Sequence, residues 1–398
     1  MTAEDGRPAH PTTKGRALAG AGILARRPAW LLAAVGLAAL VVAFSLDPHA
    51  SRSAATQVWS PFVLVAGLLL VGLVAERDGL FRVAGFRLAR MAPNGVSLFV
   101  GAAVLVAVVT AVLNLDTSVV FLTPVLVHAA RSRGQDEKPL LYGCLLLSNA
   151  GSLLLPGSNL TNLIVAGHLH VSGAAFFIRM APAWVVAVVV TTTVVGLVER
   201  RSLGRSTGQA TAPPDPTLGL GLVAVAAVTV LVLVLRSPAL PVASVGIVVV
   251  AVRLASRRLT WDRAGAVLGL PVLVGLFGVA VTLGALGRSW AGPATVLTHL
   301  DAWGTAAVAA GSTLLVNNLP AASLLASRVP PRPYALLVGL DIGPNLFITG
   351  SLAWVLWRRA ARTADAEPSV ARASLLGLLS VPLSMAGAVG ILALTGSH

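Results

Sequence analysis

Several apolar runs longer than 16 residues divide the sequence, and they limit its fold more than any other feature. Residues 30–46, 59–75, 218–235, 267–286 and 375–394 are such runs, and shorter apolar runs lie at 183–198 and 240–252. Because a helix needs about 20 mainly apolar residues to cross a bilayer, runs of this length and number predict membrane spans rather than buried helices of a water-soluble domain. The whole chain has room for about ten passages.

The composition excludes a water-soluble enzyme. Only 11% of the residues are charged and 56% are hydrophobic, whereas a typical soluble domain has about 25% charged residues. A soluble fold of 398 residues with this composition would lack the polar side chains needed to cover its surface. The net charge of +14 is spread between the apolar runs, which is typical of loops in membrane proteins and not of a nucleic-acid partner.

Residue types that hold metals or cofactors are scarce. Cys144 is the only cysteine, so neither an intramolecular disulfide nor a thiolate cluster can form. The sequence has no G-x-x-x-x-G-K-[ST] phosphate loop, so any use of ATP would require a soluble ATPase partner. His128, His168 and His170 have no acid or cysteine beside them and are predicted to be solvated surface residues. We expect no metal and no cofactor.

Polar stretches divide the chain into two halves. Residues 1–28 are predicted to form a disordered cytoplasmic tail, and residues 199–216, rich in arginine and proline, a cytoplasmic linker. The first transmembrane repeat then covers residues 29–198 and the second residues 217–398. Residues 78–91 mix apolar side chains with arginines, which predicts an interfacial amphipathic helix.

Polar breaks interrupt four of the apolar runs. In the first half they lie at residues 114–118 and at 148–152 and 156–162; in the second they lie at 317–320 and at 341–345 and 349–351. A straight lipid-exposed helix would not hold so many glycines and amides, whereas a discontinuous helix that lines a cavity would. The runs 97–129 and 303–327 are each either a re-entrant hairpin or two ordinary spans.

The breaks recur in the same order. Asn-Ala-Gly at 149–151 and Gly-Ser at 157–158 match Asp-Ile-Gly at 341–343 and Gly-Ser at 350–351. Paired breaks in corresponding places of two halves are typical of transporters with a site at the repeat interface. The predicted fold class is an all-α polytopic membrane protein of two inverted repeats, each with a re-entrant or paired helical hairpin and a discontinuous transmembrane helix.

The break motifs resemble those of a known family. Ser-Asn-Leu-Thr-Asn at 158–162, Asn-Asn-Leu-Pro at 317–320 and Leu-Asp-Ile-Gly-Pro-Asn at 340–345, followed by Thr-Gly-Ser-Leu-Ala at 349–353, are similar to the arsenite permease (arsenical pump membrane protein) family of the ion transporter superfamily. The resemblance covers residues 30–396 in layout. It implies an elevator-type fold in the cell (cytoplasmic) membrane and export of trivalent arsenic or antimony hydroxides.

The related divalent anion/sodium symporters give an alternative. Their dicarboxylate branch usually carries Ser-Asn-Thr at both hairpin tips, whereas this chain has Leu-Asp-Thr-Ser at 115–118 and Asn-Asn-Leu-Pro at 317–320. This difference favours arsenite over a dicarboxylate, sulfate or another anion.

The breaks supply neutral donors and acceptors that suit arsenous acid, an uncharged trihydroxide at neutral pH. The candidate binding residues are Asn149, Ser158, Asn159, Thr161, Asn162, Asn317, Asn318, Asn345, Thr349 and Ser351. The alternative is that these side chains only satisfy the backbone groups that the breaks expose. The expected partners are a small inorganic solute and membrane lipid, and a homodimer is compatible with the sequence.

Asp116 and Asp341 are the acids expected deep in the membrane, where a charged side chain costs about 2.5–3.5 kcal/mol on insertion scales. Each is a candidate for exchanging protons and coupling transport to the proton gradient. The alternative for each is a fixed helix N-terminal cap. An intramembrane aspartyl enzyme would also use two such acids, but the recurrence of the breaks favours a transporter.

Topology follows from the basic residues. With the N-terminus in the cytoplasm and each hairpin returning to its own side, 23 of the 29 lysines and arginines fall on the cytoplasmic side. Cysteines introduced at Ser202 and His398 should therefore react with an impermeant thiol reagent from opposite sides of the membrane. Labelling of both from one side would contradict this topology.

Overall fold

The computed structural model describes residues 13–169, 171–204, 219–235 and 237–396, and side chains from residue 29 onward. These residues form helices joined by short turns. The helices are α1 (Thr13–Leu46), α2 (Pro48–Arg77), α3 (Leu80–Met91), α4 (Gly95–Val112), α5 (Leu115–Ser132), α6 (Lys138–Gly151), α7 (Leu160–Ala166), α8 (Gly173–Val198), α9 (Leu220–Val234), α10 (Ala239–Ala255), α11 (Trp261–Leu268), α12 (Leu270–Ser289), α13 (Gly292–His299), α14 (Ala302–Val316), α15 (Asn318–Leu325), α16 (Pro333–Ile342), α17 (Ala353–Thr363) and α18 (Val370–Leu394).

The helices bear out the all-α prediction. By length and composition, six stretches of the described chain could cross a membrane. They are Ala29–Leu46, Pro48–Arg77, Gly95–Val112, Gly173–Val198, Trp261–Ser289 and Val370–Leu394. The other passages expected from the sequence would be made by shorter apolar helices, among them α9, α10 and α14.

The N-terminal and linker segments differ in how far the structure describes them. Helix α1 begins at Thr13, inside the segment for which the sequence predicts a disordered tail. Residues 13–28 hold four alanines and three arginines, which favour helix, so they can extend the helix of the first span toward the N-terminus. Most of the predicted linker 199–216 lies outside the described residues.

The order of elements recurs within the chain. Helices α2 to α8 run as a long helix, a short helix, two helices divided at an asparagine, a broken helix and a long helix, and α12 to α18 repeat this order. The short helix α3 is amphipathic as predicted: Phe81 and Val83 are buried while Arg82, Arg87 and Arg90 are exposed. The inversion of one half relative to the other stays a prediction.

Glycines allow two close helix crossings. A Cβ at Gly36 of α1 would overlap the carbonyl oxygen of Gly275 in α12. A Cβ at Gly278 of α12 would in turn overlap the carbonyl oxygen of Gly36. In the same way, a Cβ at Gly67 of α2 would meet the backbone of α10, which carries Gly246 at the crossing. Small residues let helix backbones approach closely in lipid, where van der Waals packing replaces the hydrophobic effect.

Both helix hairpins turn at an asparagine with positive φ. Asn114 (φ 159°) caps α5 by accepting a hydrogen bond from the Thr117 amide at 2.7 Å, and Asn317 (φ 73°) caps α15. Asparagine tolerates such φ better than most residues. Helix α15 has eight residues and is thus about 12 Å long, too short to cross a hydrocarbon layer of about 30 Å.

The broken helices lie between two apolar cores. One core packs mostly α3 to α6 with α9, α10 and α17, and the other packs mostly α7 and α8 with α12, α14 to α16 and α18. Leu147 belongs to the first core and Leu153 to the second, so the break after α6 lies where the two meet. The polar side chains of this break, among them Asn149, Ser158 and Asn162, are buried there.

We expect Gly36→Leu to destabilise the protein, because the larger side chain must push α1 away from α12; overpacking costs about 1–3 kcal/mol. The measurement is thermal unfolding in detergent, with the folded fraction at each temperature determined by size-exclusion chromatography. Gly311→Leu is the matched control, since no atom lies within 4 Å of a Cβ at Gly311. Equal unfolding midpoints for the two variants would contradict the crossing.

Candidate functional site

The two broken helices contact each other through a pair of amides. The side-chain amide of Asn149, near the end of α6, donates to Asn345 Oδ1 at 2.8 Å, and Asn345 Nδ2 donates to the Leu146 carbonyl at 2.9 Å. Both asparagines are buried. Residues from the two halves, 196 positions apart, therefore share one polar contact.

Asp341 forms a second contact between the halves. Its Oδ1 accepts hydrogen bonds from Asn159 Nδ2 at 3.0 Å and from Thr161 Oγ1 at 2.5 Å, while Oδ2 is buried without a partner. The side chain is fully buried. Asp341 is the next-to-last residue of α16, so the alternative that it caps a helix N-terminus is wrong.

Ser158 and Asn162 satisfy backbone groups at the break. Ser158 Oγ lies 2.5 Å from the carbonyl oxygens of both Ser152 and Leu155, and its single proton is donated to one of them at a time. Asn162 Nδ2 donates to the same two carbonyls at 2.7 and 3.0 Å. The donor groups of Ser158 and Asn162 therefore bond to backbone groups that the break exposes, which is the alternative to solute binding given in the sequence analysis.

The second hairpin is tied to the segment that precedes α17. Asn317 Nδ2 donates to the Thr349 carbonyl at 3.2 Å, Thr349 Oγ1 donates to the Leu314 carbonyl at 2.8 Å, and the Asn318 amide donates to the Gly350 carbonyl at 2.8 Å. Asn317 is half-buried and Thr349 is exposed, whereas Asn318 is buried. These residues form a polar edge beside the crossing of the broken helices.

Asp116 faces a different space from Asp341. It lies in the first turn of α5, behind the capping residue Asn114, and lines a cavity of about 510 Å³. Leu69 of α2, Leu273 of α12 and Arg359 of α17 also line this cavity. The cap is therefore Asn114, and the capping alternative for Asp116 is wrong. The partners of Asp341 lie on α7 and its cap, so the two acids have separate surroundings.

Buried side-chain atoms without a hydrogen-bond partner occur both at the breaks and elsewhere. Of the sixteen such atoms in the described part of the chain, seven lie at or near the breaks: Thr110 Oγ1, Asn114 Nδ2, Thr117 Oγ1, Asn149 Oδ1, Asn162 Oδ1, Asp341 Oδ2 and Ser351 Oγ. A buried donor or acceptor without a partner costs about 1–3 kcal/mol, so these seven atoms are available to a polar solute.

Sequence reasoning missed Asn114 as a candidate site residue. Its signal was available, because Asn114 stands at the first hairpin break as Asn317 stands at the second. The shared cavity expected for Asn159 and Asn318 stays a prediction.

Two of the three histidines noted in the sequence, His128 and His168, lie in the described part of the chain. Among the described residues, no group of three histidines, cysteines or acids is placed to hold a metal ion. The prediction that His168 is a solvated surface residue is wrong: it is half-buried, with Nε2 2.6 Å from the Ala326 carbonyl oxygen and 2.8 Å from Gln57 Nε2. His128 lines a cavity between α3 and α5, and His170 lies outside the described residues.

Comparison with known proteins agrees with this architecture. The crystal structure of the YdaH transporter of Alcanivorax borkumensis, described as having an unusual topology, superposes with a TM-score of 0.54 at 14% identity, over 92% of this chain and 98% of the other. The arsenical pump membrane protein of Escherichia coli is 25% identical over 334 residues, 75% of this chain and 78% of that protein. The silicon efflux transporter LSI3 of Oryza sativa subsp. japonica is 30% identical over 120 residues, 30% of this chain and 25% of that protein.

A family comparison covers most of the chain. The sequence model described as the citrate transporter family, CitMHS, matches residues 21–340. This match, together with the helical fold and the polar crossing of two broken helices, identifies the chain as a membrane transporter and not an enzyme. The chain belongs to the CitMHS family of membrane transporters.

Proposed function

We propose that this transporter exports arsenous or antimonous acid from the cytoplasm and couples export to the proton gradient. The observation that carries the proposal is the make-up of the crossing between the broken helices. Its described side chains are amides, hydroxyls and one carboxyl, with no basic residue among them. Amides, hydroxyls and a carboxyl can donate hydrogen bonds to an uncharged trihydroxide and accept them from it, without a charged partner.

The relatives named above support a hydroxide cargo. One is an arsenical pump protein and another a silicon efflux transporter. Arsenic(III) and silicon both dissolve at neutral pH as uncharged hydroxides, so one binding site made of uncharged hydrogen-bonding groups suits both. The unpartnered atoms of Asn149, Asn162 and Asp341 include only acceptors, which suits a solute whose hydroxyl groups donate.

An organic anion such as citrate is the second candidate, favoured by the name of the family and by Arg359, which lines the cavity beside Asp116. A citrate ion carries three carboxylates near neutral pH and would need more positive charge than the crossing offers. The described geometry therefore favours the hydroxide.

Asp116 is the better candidate for the proton-coupling residue. It is half-buried and borders a cavity, whereas Asp341 is fully buried and already accepts two hydrogen bonds. A carboxyl that borders a cavity can exchange protons with water, and we assign the enclosed Asp341 to holding the solute. In this division of roles no soluble ATPase partner is required.

The test of the function is solute uptake into everted membrane vesicles, where export from the cytoplasm becomes uptake. Radiolabelled arsenite and citrate are supplied separately, with and without an imposed proton gradient. We expect arsenite uptake that rises with the gradient and no citrate uptake. Citrate uptake without arsenite uptake would replace the proposal by the second candidate.

Asp116→Asn should abolish the response of arsenite uptake to the proton gradient, because the amide keeps the shape of the side chain but cannot ionise. Exchange of labelled for unlabelled arsenite without a gradient should persist, because a neutral solute does not need the charge. Asp262→Asn, which changes an exposed acid of α11, is the matched control. If arsenite uptake by Asp116→Asn responded to the proton gradient as strongly as uptake by the unchanged protein, Asp341 would be left as the coupling candidate.

Substitutions at the break should fall into two groups. Asn159→Ala and Asn318→Ala should lower arsenite exchange per folded molecule by at least about tenfold, since we assign their side chains to the solute. Asn162→Ala should instead lower the amount of folded protein, because it removes donors from two buried carbonyls. The readouts are exchange rate and detergent-extracted monodisperse protein. Normal exchange in both Asn159→Ala and Asn318→Ala would contradict the site.

A further inference from the structure

A cavity of about 660 Å³ lies where the start of α6, the end of α8 and the start of α18 meet, away from the crossing of the broken helices. Its lining includes four basic residues, Lys138, Arg200, Arg201 and Arg372, and one acid, Glu199. A volume of this size is typical of small-molecule sites. The transport proposal does not use this cavity.

The positive charge in this cavity is only partly neutralised. Glu199 is buried and its Oε1 lies 2.8 Å from Arg372 Nε, so this acid and one base form an ion pair. Lys138 Nζ lies 3.6 Å from Asp136 Oδ2, just outside the cavity. Arg200 and Arg201 are exposed and add two further positive charges. The cavity therefore offers a net cationic lining to a ligand.

Exposed apolar side chains continue from the cavity along the two long helices. Leu197 lines the cavity, and Val189 of α8 with Leu378 and Leu383 of α18 are exposed further along. In a chain that spans a membrane these surfaces face lipid tails. A ligand that reaches both regions must carry an anionic head and an apolar tail.

We propose that this cavity binds the phosphate headgroup of an anionic phospholipid, with its acyl chains along α8 and α18. Basic pockets between transmembrane helices on the cytoplasmic side attract anionic lipids, and the topology proposed from the sequence puts Arg200 and Arg201 on that side. A free phosphate would use the same cations but not the apolar surfaces. The bound lipid joins α6 to α8 and α18 and so stabilises their packing.

The test uses the purified full chain in detergent. Its thermal unfolding midpoint is measured with added phosphatidylglycerol, phosphatidylcholine or inorganic phosphate, and retained lipid is counted by native mass spectrometry. Of these three additions, we expect only phosphatidylglycerol to raise the unfolding midpoint. The double variant Arg200→Gln/Arg201→Gln should weaken the apparent affinity for phosphatidylglycerol by at least about tenfold, since each basic residue near a membrane surface contributes about 1 kcal/mol.

The matched control is Arg257→Gln/Arg258→Gln, which changes a second pair of exposed consecutive arginines that follows a helix, here α10. This control should keep the response of the unchanged protein. Lys138→Gln is a second variant within the cavity and should also weaken the response. Equal weakening in the control would show a general charge effect and overturn the site. Stabilisation by inorganic phosphate as large as that by phosphatidylglycerol would overturn the lipid assignment.

Discussion

The structure depends on one constraint: backbone groups exposed by a break in a helix must find partners where water and lipid offer none. At the break after α6 these partners come from side chains of the same segment. Asn162 donates to the carbonyls of Ser152 and Leu155, and the Ser158 hydroxyl donates to one of the same two carbonyls. Because local side chains take this role, other polar side chains at the break are left for contacts across the molecule.

Those contacts join the two halves. Asn149 bonds to Asn345, and Asp341 accepts from Asn159 and Thr161. Neither broken helix supplies a complete set of partners from its own half, so the site exists only when the halves are packed together. The glycine crossings of α1 with α12 and of α2 with α10 allow helices of the two halves to approach closely.

The sequence predicted the class of the fold and the position of the breaks, because apolar length and the placement of glycine, proline and amides are local signals. It could not predict which polar residue serves the backbone and which serves the site. Ser158 and Asn159 are neighbours with the same apparent signal, yet one bonds to carbonyls of its own segment and the other to Asp341. That distinction depends on the direction of a side chain in the packed structure, as does the half-buried position of His168.

Asn149 and Asp341 occupy corresponding positions near the ends of α6 and α16. A chain with two identical halves would place two amides or two carboxyls there. This chain has one of each, so the crossing is electrically asymmetric although its helices are arranged alike. Under the proposed function, a solute bound at the crossing would meet a proton-accepting group on one side and an amide on the other. It would sit in a single preferred orientation, which two identical halves could not impose.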